Sequence, residues 1–386
     1  MKKHNKKIIG IDARLYGSVG RGLGRYIKEV IDRIVDKIDN PLKGGEGKNK
    51  YVIFLGKDNF KEFKTTNPNA KKVLCKTRWY SIKEQIVMPF FILKEKIDLM
   101  HFPHFNIPIF CPSRFIVTIH DLILTKFPTL RATTLYSILY KIKNLGYKVV
   151  ISTAVHRSEQ IITVSNFTRK DIIKQFKISA NKIIVTYEGI TKTIKYNPID
   201  NNEEKVLLWY NIKKPFLLYV GSAYPHKNLE LLIKAFRNIR KRYPNLHLVL
   251  VGREDYFYQK LKQANKQTPC IVFTGYVPDK DLRILYKNAL AYVFPSIYEG
   301  FGLPPLEAII NHCPVVSSNQ ASMPEILGKS ALYFNPFKVK EIENKLKQII
   351  DDENLRKDLV KTGLDYIKKY NWDKCAQQTF ELYCKN

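Results

Sequence analysis

The sequence predicts an α/β chain built from two doubly wound domains. Three observations point there. The chain has 386 residues, more than one ordinary core fills. From Ile8 onward, short apolar runs of strand length alternate with stretches of helical period, joined by glycine-rich or polar loops. A polar stretch with Pro198, Asp200, Asn201, Asn202, Glu203 and Glu204 follows, and the same grammar restarts at Phe216. The expected division is a first, strongly basic domain over 1–190, a linker over 191–213, a second domain over 214–370 and a closing segment over 371–386.

Composition narrows the function classes. Apolar content of 45% and aromatic content of 12% belong to a globular chain. No apolar run reaches the length of a spanning helix. The basic amino end has its apolar run cut by Asp12, unlike a signal peptide. Six scattered cysteines without C-x-x-C spacing read as reduced thiols in a cytoplasmic protein, with neither disulfides nor a metal site. The net charge is +30, of which residues 1–210 carry +20. Such a field attracts polyanions, and the bias suggests that the first half faces something acidic. Nucleic acid is not expected, because no motif clusters Lys and Arg with interleaved aromatics.

In the first domain, IIGIDA (8–13) is a strand, a glycine loop follows, and apolar residues at 23, 26, 27, 30, 31, 34, 35 and 38 mark a helix. The glycines at 17, 20, 22 and 24 do not fit G-x-G-x-x-G, which argues against a nicotinamide or flavin. Strands are expected at 51–55 and 71–75. A helix over 80–97 carries Ile82, Ile86, Val87, Phe90, Phe91, Ile92 and Leu93, with lysines at both ends. It either covers the sheet or lies on a membrane. Strands at 97–102 and 115–119 follow, the second ending at His120-Asp121, a position that suits ligand contact. A long basic helix over 131–157, a strand at 161–164, Ser165 as the N-cap of a helix over 166–176, and a strand at 182–186 close the domain.

In the second domain, strand 216–220 runs into the loop GSAYPHKN (221–228) and a helix over 229–242. Lys227 stands where a cation opposes the helix dipole, so an anion would satisfy it. Strands at 246–251, 271–273, 289–294, 314–317 and 331–334 complete the sheet, with helices over 338–351, 353–369 and 372–384.

The stretch YEGFGLPPLE (298–307) joins a strand's carboxyl end to a helix begun by Pro304 and Pro305. Such a junction favours a phosphate. Glu299 and Glu307 would repel that phosphate, so hydroxyls are their expected partners, as in a ligand with sugars on both sides of a diphosphate. A single Glu reads more simply as a cap or a solvated charge. The Gly300-Phe301-Gly302 turn and the two prolines between the pair favour the ligand.

E-x7-E with F-G inside resembles the signature of retaining glycosyltransferases of the GT-B fold, family GT4, whose two Rossmann-like domains face each other across a donor-binding cleft. The resemblance covers nearly the whole chain and is strongest over 215–335. It implies that Glu299 faces the donor sugar, that Glu307 binds the ribose of a nucleotide diphosphate sugar, and that Gly300, Phe301, Gly302 and Leu303 lie along the donor. It places Gly22 of the opening loop near the donor phosphates and acceptor, and His120 near the reacting sugar. Asp121 either orients the His120 ring or caps its turn. Tyr276 and Val277 are placed beside the base, and Lys227 is one of a basic pair on the phosphates. The other member, an Arg after the glycine, is Ser222 here, and Arg253 is a candidate to supply the missing charge. The wording PHKN resembles the mannose-transferring branch, and the last helix resembles one that returns to the first domain.

The reaction implied is transfer of a sugar, best mannose from GDP-mannose, to an acceptor hydroxyl with retention, through an oxocarbenium-like transition state. Lys227 and the helix ends are expected to replace a metal, so neither metal nor other cofactor is expected. The expected partners are the nucleotide-sugar donor, a glycan or lipid-linked acceptor in surface glycan synthesis, and an anionic membrane touched peripherally at its inner face. The competing readings are a UDP-sugar donor, a sugar-nucleotide epimerase, a basic polyanion-binding protein and an inactive partner subunit.

Overall fold

The structure, a computed structural model, describes residues 6–128, 137–190 and 203–385. The expected start of the long helix, 131–136, and the linker residues 191–202 lie outside them. The chain divides into two compact units: Met1–Gly189 with Tyr370–Asn386, and Ile190–Lys369.

Among the described residues the first unit holds seven parallel strands: β1 (Lys7–Asp12), β2 (Asn49–Leu55), β3 (Ala70–Leu74), β4 (Leu99–Phe102), β5 (Arg114–Ile119), β6 (Gln160–Thr163) and β7 (Ile183–Val185). Their order is β3-β2-β1-β4-β5-β6-β7. The second unit holds six: β8 (Phe216–Val220), β9 (His247–Val251), β10 (Ile271–Gly275), β11 (Ala291–Phe294), β12 (Val315–Ser318) and β13 (Ala331–Phe334). These are also parallel, in the order β10-β9-β8-β11-β12-β13. Central strands such as FLLYV and HLVLV are apolar throughout because helices cover both faces of a parallel sheet. Each order reverses once, at β1/β4 and at β8/β11. Such switch points open a crevice at the strands' carboxyl ends.

Local chemistry sets the helix ends. Ser165 Oγ accepts from Thr168 N at 3.1 Å, the expected cap of the helix Asn166–Phe176. Ser81, Asp255 and Asp352 cap three other helices in the same way. Of the expected linker, 203–209 is a helix belonging to the second unit. Glu203 and Glu204 sit in its first turn, where they suit the dipole. The last helix, Trp372–Lys385, belongs to the first unit, where Tyr383 hydroxyl meets His101 Nδ1 at 2.7 Å and Arg33 pairs with Asp373 at 2.8 Å. The helix Ile82–Lys94 covers the sheet in part: it buries Glu84, Met88 and Ile92, and Phe91 meets Phe54 of β2 with ring centroids 6.3 Å apart, while Ile82, Ile86, Phe90 and Leu93 are exposed. All six cysteines are free thiols.

Candidate functional site

In the second unit the expected residues gather at the carboxyl ends of four adjacent strands. Ser222 and Lys227 follow β8, Arg253 follows β9, Tyr276 and Val277 follow β10, and the stretch from Glu299 to Glu307 follows β11. Parallel pairing dictates this: every loop that leaves a carboxyl end leaves on the same edge.

At the switch point, Lys227 Nζ donates to Glu299 Oε1 at 2.5 Å. The two side chains are only 16% and 10% exposed, so this is a nearly buried ion pair. Pro225–Lys227 form a short 3-10 turn, and Asn228, with φ of 59°, turns the chain into the helix Leu229–Ile239. Asn228 Nδ2 donates to Pro336 O at 2.8 Å and to Pro295 O at 3.3 Å, tying the β8 loop to the start of the β11 loop. Sequence reasoning assigned a ligand anion to Lys227 and neutral hydroxyls to Glu299; in this structure each is the other's partner.

Glu299 is fixed from behind. Ser322 Oγ donates to the carbonyls of Glu299 (3.0 Å) and Phe301 (3.3 Å). Gly302 has φ of 92° at the N-cap of the helix Leu303–Ile310, and a Cβ there would lie 2.5 Å from Met323 Cε, so only glycine fits this turn. Phe301 is buried, and Glu307 is half-buried within the helix.

Three tyrosines that sequence reasoning missed hold the β8 loop. Tyr292 hydroxyl donates to Val220 O at 3.2 Å, Tyr258 to Gly221 O at 2.9 Å and Tyr219 to Ser222 O at 2.7 Å. Burial pushes all three hydroxyls well above their usual range, so they stay protonated donors. In a planar trans peptide the next N–H points opposite the carbonyl. The N–H groups of Ser222 and Ala223 therefore point away from these hydroxyls. Burial, with Lys227 alongside, pushes His226 down to about 4, leaving it a neutral, structural ring.

Arg253 is exposed at the carboxyl end of β9. Its guanidinium stacks 5.4 Å from the centroid of Tyr276, whose ring is exposed, while Val277 is buried. The pair forms a flat cationic-aromatic step at the β9–β10 end of the row.

In the first unit, His120 follows β5 with both ring nitrogens engaged. Nδ1 faces Glu188 Oε1 at 3.3 Å, Nε2 faces Pro103 O at 3.1 Å, and Tyr26 meets the ring edge-on with centroids 4.6 Å apart. Asp121 Oδ1 accepts from Ile123 N at 2.8 Å, so Asp121 caps the turn, and the carboxylate at the ring is Glu188. No local spacing could have announced Glu188, which lies beyond β7. Gly22, the second residue of the helix Arg21–Arg33, has no atom within 4 Å of a Cβ added to it.

Comparison with known proteins agrees with the fold. Residues 202–365 match the model of "Glycosyl transferases group 1" and residues 52–193 that of "Glycosyltransferase Family 4". The O-antigen chain mannosyltransferase B of Escherichia coli is 32% identical over 291 residues, 74% of either chain. Among solved structures, sucrose-phosphate synthase of Thermosynechococcus elongatus superposes with a TM-score of 0.72 at 18% identity, covering 98% of this chain and 99% of that one. HepE of Anabaena, in complex with UDP and glucose, does so with a TM-score of 0.72 at 15% identity, covering 99% and 100%. The chain belongs to the group 1, family 4 glycosyltransferases and has their GT-B fold.

Proposed function

We propose that the chain is a retaining, metal-independent glycosyltransferase that moves mannose from GDP-mannose onto a glycan or lipid-linked glycan in surface polysaccharide assembly. It would work in the cytoplasm, peripherally at the inner face of the membrane. The observation that carries the donor reading is the nearly buried Lys227–Glu299 pair at the β8/β11 switch point. A diphosphate arriving there takes over the ammonium, and the released Glu299 carboxylate turns to the hydroxyls of the sugar.

The leaving diphosphate gains charge as its bond to the anomeric carbon breaks. Lys227, the outward N–H groups of Ser222 and Ala223 and the amino end of the helix Leu303–Ile310 are fixed in place to receive it. That positive field is the argument for metal independence, with Ser222 contributing its N–H where an Arg would contribute charge. Glu307 accepts from the ribose hydroxyls, and Tyr276 and Val277, with Arg253 on the Tyr276 ring, border the base. A phosphate oxygen takes the acceptor's proton as the new bond forms on the same face, which retains configuration. His120, both nitrogens occupied, positions groups and is not the nucleophile.

Mannose is favoured by the name and 32% identity of the E. coli relative. A UDP-sugar is the second reading, favoured by the UDP and glucose held by the Anabaena protein, whose 15% identity supports the fold alone. Thermal unfolding with GDP, UDP or ADP and a chelator, on wild type and Glu307→Ala, separates the two. A ligand at a hundredfold its Kd adds about 2.7 kcal/mol. GDP stabilisation lost in the variant is the expected result. A UDP response moves the donor to the second reading, and no response to any of the three removes the donor site.

A further inference from the structure

The helix Ile82–Lys94 is apolar on two sides, one buried and one exposed. Its inner face carries Glu84, which pairs with Arg14 and accepts from Tyr80 N and Asn106 Nδ2, both at 2.8 Å. With Met88 and Ile92 on the same inner face, the 3.6-residue period leaves Ile82, Ile86, Phe90 and Leu93 in one narrow outer arc. These four are 62–86% exposed. Lys83 and Lys94, also exposed, border the arc on one side.

The helix Ser137–Arg157 repeats the pattern. Ile151, Ala154 and Val155 are buried, while Ile142, Leu145 and Val149 form an outer arc, 44–64% exposed. Exposed Lys141 and Lys148 flank that arc on one side and Lys143 on the other, and this helix holds no Asp or Glu. A loop joins the two helices. Gln85 donates to Ile107 O at 3.1 Å and accepts from Ile109 N at 2.8 Å, while Arg157 donates to Cys111 O at 3.2 Å and to Ile109 O. The loop so pinned presents Phe110 at 79% exposure.

Scattered apolar residues on a surface need no explanation, but two such arcs tied to one loop that holds up a Phe do. Exposed apolar arcs flanked by lysines, with no exposed carboxylate on either helix, match a helix lying in a lipid interface. A second copy of the chain fits poorly, because a two-fold contact through this face would set lysine against lysine. We propose that these two helices and the Phe110 loop dock the first unit on an anionic lipid bilayer, apolar side chains at the headgroup boundary and lysines over the lipid charges. This deepens the peripheral location proposed above and is independent of the donor's identity.

The test is cosedimentation of the full chain with phosphatidylcholine vesicles, with and without about one-third phosphatidylglycerol. Wild type is expected to bind the anionic vesicles only. The double variant Ile86→Ser, Phe90→Ser, which removes exposed side chains only, is expected to lose that binding. Lys143→Gln and Lys148→Gln each weaken it about fivefold. The nucleotide thermal shift, which reports on the other unit, is expected to stay unchanged in every variant, so a failed donor reading and a failed docking face are told apart. Equal binding to both vesicle types, no binding to either, or undiminished binding by the serine variant overturns the proposal. So does a lipid-free dimer that the serine substitutions dissolve.

Discussion

The two units place a cation at the same topological point and treat it in opposite ways. Arg14 follows β1 at the β1/β4 reversal, and Lys227 follows β8 at the β8/β11 reversal. Arg14 is sealed in. Its Nε and Nη2 grip Asp12 at 2.8 and 2.6 Å, Nη2 also meets Glu84, and Nη1 reaches Thr77 Oγ1 at 3.4 Å. The guanidinium lies 5.3 Å from the Trp79 ring centroid, with its side chain 2% exposed. Burial alone would lower its pKa, but Asp12 and Glu84 raise it well above the usual value, so the charge is permanent. Lys227 shares one carboxylate oxygen, and its pair keeps a margin of exposure. A buried charge with four of its five N–H groups bonded belongs to the fold. One held by a single exchangeable partner can pass to a ligand.

The largest effect that comparison predicts is on Arg14. Arg14→Met leaves two carboxylates buried without their cation, which costs about 3–5 kcal/mol. Urea unfolding should show the loss in the midpoint with little change in slope. A variant as stable as wild type would show that Asp12 and Glu84 do not depend on the guanidinium, and the contrast would fail.

Lys227→Met comes next, with its effect in the opposite column. Turnover should fall by roughly a hundred- to a thousandfold, the cost of one preorganised donor to developing charge. Its unfolding midpoint should fall by less than that of Arg14→Met, because Glu299 retains access to water. If stability collapses while the few folded molecules turn over normally, Lys227 is structural like Arg14.

This pair also shows how far sequence could reach. The strand-loop-helix order, the Ser165 cap and the Y-E-G-F-G-L-P-P-L-E junction were legible because each depends on residues a few positions apart. Lys227 was legible because its place before a helix conflicts with the dipole. Its Glu299 partner, 72 positions away, was not, nor was Glu188 at His120, since sheet order and not spacing brings them together. The tyrosines that hold the β8 loop carry no local signal, because Tyr219 and Tyr292 in strands and Tyr258 in the helix Tyr256–Ala264 all read as core. The helix Ile82–Lys94 was legible in part for a related reason: its period revealed apolar residues and left open which of them face the sheet, and the Arg14 cluster turns Glu84 inward.

The smallest predicted effect separates two glycines of one helix. A Cβ at Gly24 would lie 2.2 Å from Gly17 O, so Gly24→Ala must move backbone and should cost about 1–3 kcal/mol. At Gly22 nothing lies within 4 Å, and alanine there should stabilise the helix by about 0.5–1 kcal/mol. No contact among the described residues therefore demands glycine at 22, and a ligand's close approach is a physical reason for it. Gly22→Ala should then unfold at higher urea than wild type and yet transfer sugar more slowly, two readouts moving in opposite directions. If stability rises and transfer is unchanged, Gly22 is an ordinary helix residue, and the opening loop holds its ligand, if it holds one, by other groups.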